Sequence, residues 1–293
     1  MISKEKLVLG TVQFGLNYGI ANNTGKIKES EVKDILDLAN AERITTLDTA
    51  IGYGTSEECL GDFEIENRFN VISKLPKVPE DCSDVFQWAK DSALSSLKRL
   101  NVNKLDGLLI HHCDELIKSY GKDLYNGLLY MKESGLVNKI GISIYAPIDL
   151  DLLVPKFDFD IIQSPLNIID SRIITSGWAD RLTEMGIELH VRSIFLQGLL
   201  LMPPQRRPNF FKEYTNICTD YDHWLSEMNV SPLAACMNYA FSFDQVNKIL
   251  IGIDSLNQFQ EILSIQSIKE FNFPTTLQSN DDKLINPSKW ATL

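Results

Sequence analysis

The chain has 293 residues, 44% of them hydrophobic and 23% charged, enough apolar material for one large core. Its net charge of −11, with a pI near 4.9 and no basic run, argues against a nucleic-acid or membrane-surface partner. An anionic substrate is not excluded, because a local pocket can differ in sign from the whole. No apolar run approaches the roughly 20 residues needed to span a bilayer. The opening MISKEKLVLGTVQFG carries no small-residue cleavage site. Cysteines stand at 59, 82, 113, 218 and 236, an odd count with no CxxC pair. Reduced thiols in a cytoplasmic protein are the expectation.

Short apolar runs alternate with helix-period segments from end to end. Leu7–Leu9 reads as the first strand. Ser30 is placed to cap a helix whose apolar face is Val32, Ile35, Leu36 and Ala39. Thr46–Asp48 and Val71–Ser73 follow as strands, then a helix lined by Phe86, Ala89, Ala93, Leu97 and Leu100. After the strand Gly107–Ile110, the stripe Leu124, Leu128, Met131 ends at Gly135. Lys139–Ile142 and Ile161–Gln163 are the next strands; Trp178, Leu182 and Met185 make a helix stopped by Gly186. Glu188–Val191 is the seventh strand, followed by the longest irregular stretch, Phe195–Pro208. Ser231-Pro232 opens another helix, Ile249–Ile251 is the eighth strand, and Ser255 with Gln258 matches a capping box.

Few of these strands alternate in polarity, so they read as buried on both faces, as parallel strands under helices are. The expectation is an α/β fold, a (β/α)8 TIM barrel, as a single domain over residues 1–293. An open doubly wound sheet is the rival. Gly52-Tyr53-Gly54 lacks the third glycine and the acidic residue of that rival's dinucleotide fingerprint, and no P-loop occurs.

Polar residues gather where the strands end. Asp48 closes the second, and Tyr53 follows it by five positions. Lys74 closes the third, His111 the fourth, Ser143 the fifth and Gln163 the sixth; Arg192-Ser193 follows the seventh and Gly252 the eighth. In a (β/α)8 barrel all these ends face one rim, where active sites sit. Each residue alone has a blander reading: Asp48 as a helix cap, Tyr53 as packing, Lys74 as a solvated lysine. The run His111-His112-Cys113-Asp114 does not read as a metal site, because neighbours on an extended chain point to opposite sides.

Along nearly its whole length the chain resembles the aldo-keto reductase family. Gly10-Thr11 with Gly15 resembles the family's opening segment, and Asp48-Thr49-Ala50-Ile51-Gly52-Tyr53-Gly54 its Asp–Tyr motif, continued by Ser56-Glu57 and Leu60-Gly61. Ile72-Ser73-Lys74 is similar to the strand ending in the catalytic lysine, and Asp106 to His111 has the family's spacing, which selects His111 over His112. The resemblance implies hydride transfer between a nicotinamide cofactor and a carbonyl or alcohol. Tyr53 would be the proton donor, Lys74 would lower its pKa, Asp48 would hold Lys74, and His111 would hold the substrate oxygen. Thr11, Ser143, Gln163, Asn167, Arg192, Ser193, Gly252, Ser255, Gln258 and Glu261 are the implied cofactor contacts. Gln258 is equally well explained as the partner of Ser255 in the capping box.

The chain departs from the family at three places. Ile144 stands where many relatives have Asn, and Arg192 where many have an aromatic ring against the nicotinamide. Asp254 stands where NADP-preferring relatives often carry a cation. NADP(H) is the expectation, with NAD(H) as the alternative and weak discrimination between them; Arg206 and Arg207 in the long loop are candidates for compensating charge. LGTVQFGLNYGIAN and VRSIFLQGLLL resemble bacterial members associated with surface-sugar pathways, which points to a keto sugar or nucleotide-linked sugar substrate. The competing class is a non-catalytic, cofactor-binding barrel that regulates a protein partner, since fold alone does not settle function.

Overall fold

The computed structural model of the chain describes residues 3–268 and 272–290. Eight parallel strands close into a barrel in chain order: β1 Leu7–Gly10, β2 Thr46–Asp48, β3 Asn70–Leu75, β4 Leu105–Ile110, β5 Val137–Ser143, β6 Ile161–Pro165, β7 Glu188–Arg192 and β8 Val246–Ile251. β8 returns to β1 through Leu7↔Ile249, Val8↔Leu250 and Leu9↔Ile251, so no sheet edge is left open. All eight expected strands are present, and Leu7–Leu9 lies within the barrel's own first strand. Several start earlier than their apolar runs because the first residues, such as Asn70, Asn138 and Asn247, are polar at the solvated floor.

Helices cover the outside. The stripe Val32, Ile35, Leu36, Ala39 is fully buried on the helix Glu29–Ala41, but Ser30 does not cap it. That helix starts at Glu29, with Lys28, two residues before Ser30, at the cap and no side-chain cap bond. The Ser231 and Ser255 caps form as expected, accepting from the Ala234 and Gln258 backbone N–H groups. Among the described residues, no helix is long and apolar enough to cross a membrane.

Inside the barrel, alternation with period two decides what reaches the mouth. Ile72, Leu109 and Ile161 form a small buried cluster at mid-height. Two residues further along the same strands, on the same face, stand Lys74, His111 and Gln163. The apolar layer therefore supports the polar one directly above it.

The floor is a polar layer instead. Lys139 reaches Glu188 at 2.8 Å, and the His190 ring lies 3.1 Å from the same carboxylate. The His190 bond first, then Lys139, holds the Glu188 carboxyl down at about 2 despite burial. This contribution is fully present above the ordinary glutamate pKa of ~4.3 and is lost as pH falls toward about 2. The melting-temperature gap between the native chain and Glu188→Gln is therefore expected to be widest near neutrality and to narrow through that window. A gap independent of pH would show that the floor pair contributes nothing.

Candidate active site

Lys74 is completely buried, and its ammonium lies 2.5 Å from Asp48 Oδ1 and 2.9 Å from the Thr49 carbonyl. Gln163 Nε2 donates to the other oxygen of Asp48 at 2.8 Å. Asp48 thus accepts from two inward side chains, one on the adjacent β3 and one from β6 across the barrel. Burial pushes the Lys74 pKa down, and Asp48 opposes that shift. Lys74 Nζ also sits 5.1 Å from the centre of the Tyr53 ring.

Tyr53 leaves β2 on a tight turn, its N–H donating to the Ala50 carbonyl. The His111 ring meets its edge at 5.6 Å and 82°. Burial first and the Asp48 carboxylate second push the Tyr53 phenol up, while Arg192 pulls it down. The expectation that Lys74 would lower the Tyr53 pKa needs adjusting. The Lys74 charge is matched by Asp48, and Arg192 is the cation that acts on the phenol. Tyr53 is consequently protonated at neutral pH, the form from which a proton can be donated. His111 is driven down to about 2 by burial, then by Lys74, His112 and Arg192. It is a neutral imidazole at physiological pH and can hydrogen-bond an oxygen without adding charge.

Gly15 fixes where Tyr53 stands. A Cβ there would lie 1.9 Å from the Tyr53 carbonyl oxygen and 2.4 Å from the Ser56 nitrogen. Gly15→Ala must therefore shift the Tyr53 turn, and misplacement of a reacting group by about 1 Å can cost 10²-fold. A fall of that order in kcat, with the fold retained by circular dichroism, is expected. An unaffected kcat would show that the turn is not under this constraint.

Arg192 spans the mouth. Its guanidinium bonds Ser143 Oγ at 3.3 Å, the Ile144 carbonyl at 2.9 Å and Ser193 Oγ at 3.1 Å, and packs over the Tyr145 ring at 4.6 Å. Ser193 adopts φ 58, a left-handed conformation uncommon for serine, with its carbonyl held by Asn167 Nδ2 at 3.1 Å. Asn167 Oδ1 takes the Ile169 and Asp170 N–H groups. Its amide is committed to this turn rather than offered to a ligand.

A cleft of about 610 Å³ runs from Tyr53, His111 and Gln163, past Arg192 and Ser193, to Gly252, Asp254 and Gln258. Of the residues expected at the site, Thr11, Asp48, Tyr53, His111, Gln163, Arg192, Ser193, Gly252 and Gln258 line it. The Thr11 hydroxyl is engaged with the Asp48 carbonyl and Ser56, so it braces the wall. Lys74 and Ser143 sit behind the lining, and Ser255 faces its own helix as a cap. Glu261 is exposed a turn further on and does not line the cleft. Arg207 does not supply charge here, because Asp222 binds it through both oxygens at 2.5 and 2.7 Å. Arg206 does line the cleft. The residues that sequence reasoning missed are Gln13, Tyr18, Tyr145 and Gln197. They lie on connecting loops or short turns, where no strand periodicity marks a direction; Tyr18 accepts from Gln197 Nε2 at 3.0 Å across two such loops.

The closed (β/α)8 barrel thus carries, at one end, a buried lysine–carboxylate pair behind a tyrosine and a neutral histidine, beside a deep cleft. The profile of the aldo/keto reductase family matches residues 6–274, and the chain belongs to that family. It is thus an NAD(P)H-dependent oxidoreductase of carbonyl compounds; the family typically uses NADP(H). A search of curated proteins found no match. Among solved structures, the chain is similar to the holo form of an aldo-keto reductase from Bacillus halodurans, at 18% identity and a TM-score of 0.71 over 90% of this chain and 88% of that one. It is also similar to a structure described as an aldo-keto reductase from Pseudomonas aeruginosa, at 21% identity and a TM-score of 0.65 over 90% and 89%. At such identities the likeness concerns the fold.

Proposed function

We propose that Tyr53, Lys74, Asp48 and His111 carry out the reduction of a small polar carbonyl compound, of the keto-sugar or nucleotide-linked-sugar class, in the cytoplasm. The observation that supports the substrate class is the set of polar side chains in the cleft, Tyr18, His112, Tyr145, Arg192 and Gln197, which share its lining with apolar residues such as Ile20, Phe195 and Met202. Such polar groups suit a polyhydroxylated ligand better than an apolar one, because each hydroxyl finds a partner. The five unpaired thiols support a reducing compartment.

The exposed Gly252 backbone and the polar lining residues Gln13, Asn22, Asp254 and Gln258 leave polar room along the cleft for an extended dinucleotide. Gln163, Arg192 and Ser193 would hold its nicotinamide end, with Ser143 acting through Arg192, and Gly252 and Gln258 its far end. Ser255 and Glu261 would contribute only through the helix that carries them. The bound nicotinamide supplies the hydride. Tyr53 supplies the proton to the carbonyl oxygen as negative charge develops there. His111, uncharged, donates a hydrogen bond to the same oxygen and fixes its approach. Lys74 keeps the Asp48 carboxylate from repelling that developing charge.

The test is cofactor oxidation with a panel of aliphatic aldehydes, keto sugars and nucleotide-linked sugars. Turnover fastest on the sugar members is expected. Preference for apolar aldehydes would overturn the substrate class. Negligible turnover on all of them, with a stable protein partner recovered, would favour a regulatory barrel instead.

A further inference from the structure

The end of the cleft away from Tyr53 is built from hydrogen-bond acceptors. Gln13 is 7% exposed, and its Oε1 has no partner. The orientation of that amide is fixed, because its Nε2 donates to Asp254 Oδ1 at 3.4 Å. The opposite orientation would set the amide oxygen against a carboxylate. Gly252 packs against the same amide: a Cβ there would stand 3.4 Å from Nε2 and 3.8 Å from Oε1.

The helix Leu256–Ser264 points its N-terminus toward this region, and a free N-terminus would attract a phosphate. This one is largely engaged. Leu256 N–H donates to Glu31 Oε1 at 2.7 Å, a carboxylate reaching over from the helix Glu29–Ala41. Gln258 N–H goes to Ser255 Oγ at 3.2 Å. Gln258 Oε1 takes the Asp254 N–H at 2.8 Å, one residue earlier than a full capping box would predict. Two carboxylates, Glu31 and Asp254, therefore flank the place where the helix dipole would otherwise favour an anion.

Direction along the cleft follows from the chemistry. Hydride and proton go to the two atoms of one carbonyl, so the nicotinamide must lie beside Tyr53. The adenosine end of the dinucleotide then extends toward Gly252 and Asp254. A 2′-phosphate offers only acceptor oxygens and up to two negative charges. Set beside Asp254 and Glu31 it would meet like charge, and the nearby Gln13 and Gln258 amide N–H groups already donate to Asp254. A free ribose diol offers O–H donors to Asp254, which lines the cleft. Arg206 lines the same cleft and is available to the phosphates that both cofactors share.

We propose that Glu31 and Asp254 make this chain selective for NAD(H) over NADP(H). The inference rests on the reading of the cleft as a nicotinamide-dinucleotide site. It sets this chain apart from the habit of its family, and Asp254 and Glu31 are its specificity determinants.

The dissociation constants of NADH and NADPH, read by quenching of tryptophan fluorescence in the full chain, test it without any turnover. NADH is expected to bind about tenfold or more tightly than NADPH at low salt, a difference that narrows as salt screens the carboxylates. Glu31→Gln and Asp254→Asn keep shape and remove charge; each is expected to tighten NADPH several-fold and to leave NADH unchanged or weaker. Asp254→Lys should invert the preference. NADPH binding as tightly as NADH to the native chain, or variants that do not alter the ratio, would overturn the selectivity while leaving the cleft reading intact. If neither cofactor binds, the cleft reading itself fails, and the inference with it.

Discussion

Tyr53→Phe is expected to lower kcat by roughly 10²–10⁴, the range general acid catalysis supplies. The ring remains, so its packing against His111 at 5.6 Å and over the Lys74 ammonium at 5.1 Å is preserved. Only the hydroxyl is lost. Cofactor dissociation constants should stay within about twofold, because the hydroxyl acts on the carbonyl oxygen rather than on the dinucleotide. Equal falls in kcat and kcat/KM are the expected signature. Steady-state kinetics on whichever carbonyl substrate turns over will decide it, and near-native turnover would remove Tyr53 from the chemistry.

The second large effect belongs to Lys74. Lys74→Met keeps the stem and removes the charge, leaving the Asp48 carboxylate buried with Gln163 as its remaining side-chain donor. Breaking a buried pair from one side typically costs about 3–5 kcal/mol, because the surviving charge is uncompensated. The variant should therefore be both less stable and nearly inactive. Loss of activity follows from the unmatched Asp48 charge, which already pushes the Tyr53 phenol up and would oppose negative charge on the substrate oxygen. Adding Asp48→Asn removes that charge. The double variant is expected to regain most of the stability and, with the repelling charge gone, a substantial part of the activity. Chemical denaturation of the native chain and these two variants separates the two effects. If Lys74→Met alone were as stable as the native chain, the pair would not be the brace described.

The barrel was legible because eight short apolar runs, separated by helix-period segments, leave few other architectures. The site was legible at the strand ends because period-two alternation carries direction: Ile72 facing inward places Lys74 inward, and Ile161 does the same for Gln163. Arg192 and Asp254 were visible as departures, but their partners were not. Nothing local in the sequence joins Arg192 to Ser143, 49 positions away, or Leu256 to the Glu31 carboxylate, 225 positions away. Such contacts depend on barrel closure and on loop paths. For the same reason Ser30 looked like a cap while Lys28 took that position, and Arg207 looked available while Asp222 held it. A charge on a loop has no periodicity to say where it points.

The central claim is that Tyr53 and its neighbours direct a hydride from a nicotinamide onto a carbonyl carbon. It is tested most directly by incubating the protein with deuterium-labelled reduced nicotinamide cofactor, NADH and NADPH in turn, and the carbonyl panel, then locating the label in the products by mass spectrometry. Deuterium on the carbinol carbon of a sugar product, abolished or nearly so in Tyr53→Phe, is the predicted result. Tight binding of reduced cofactor with no label reaching any product, or label transfer undiminished in Tyr53→Phe, would contradict it.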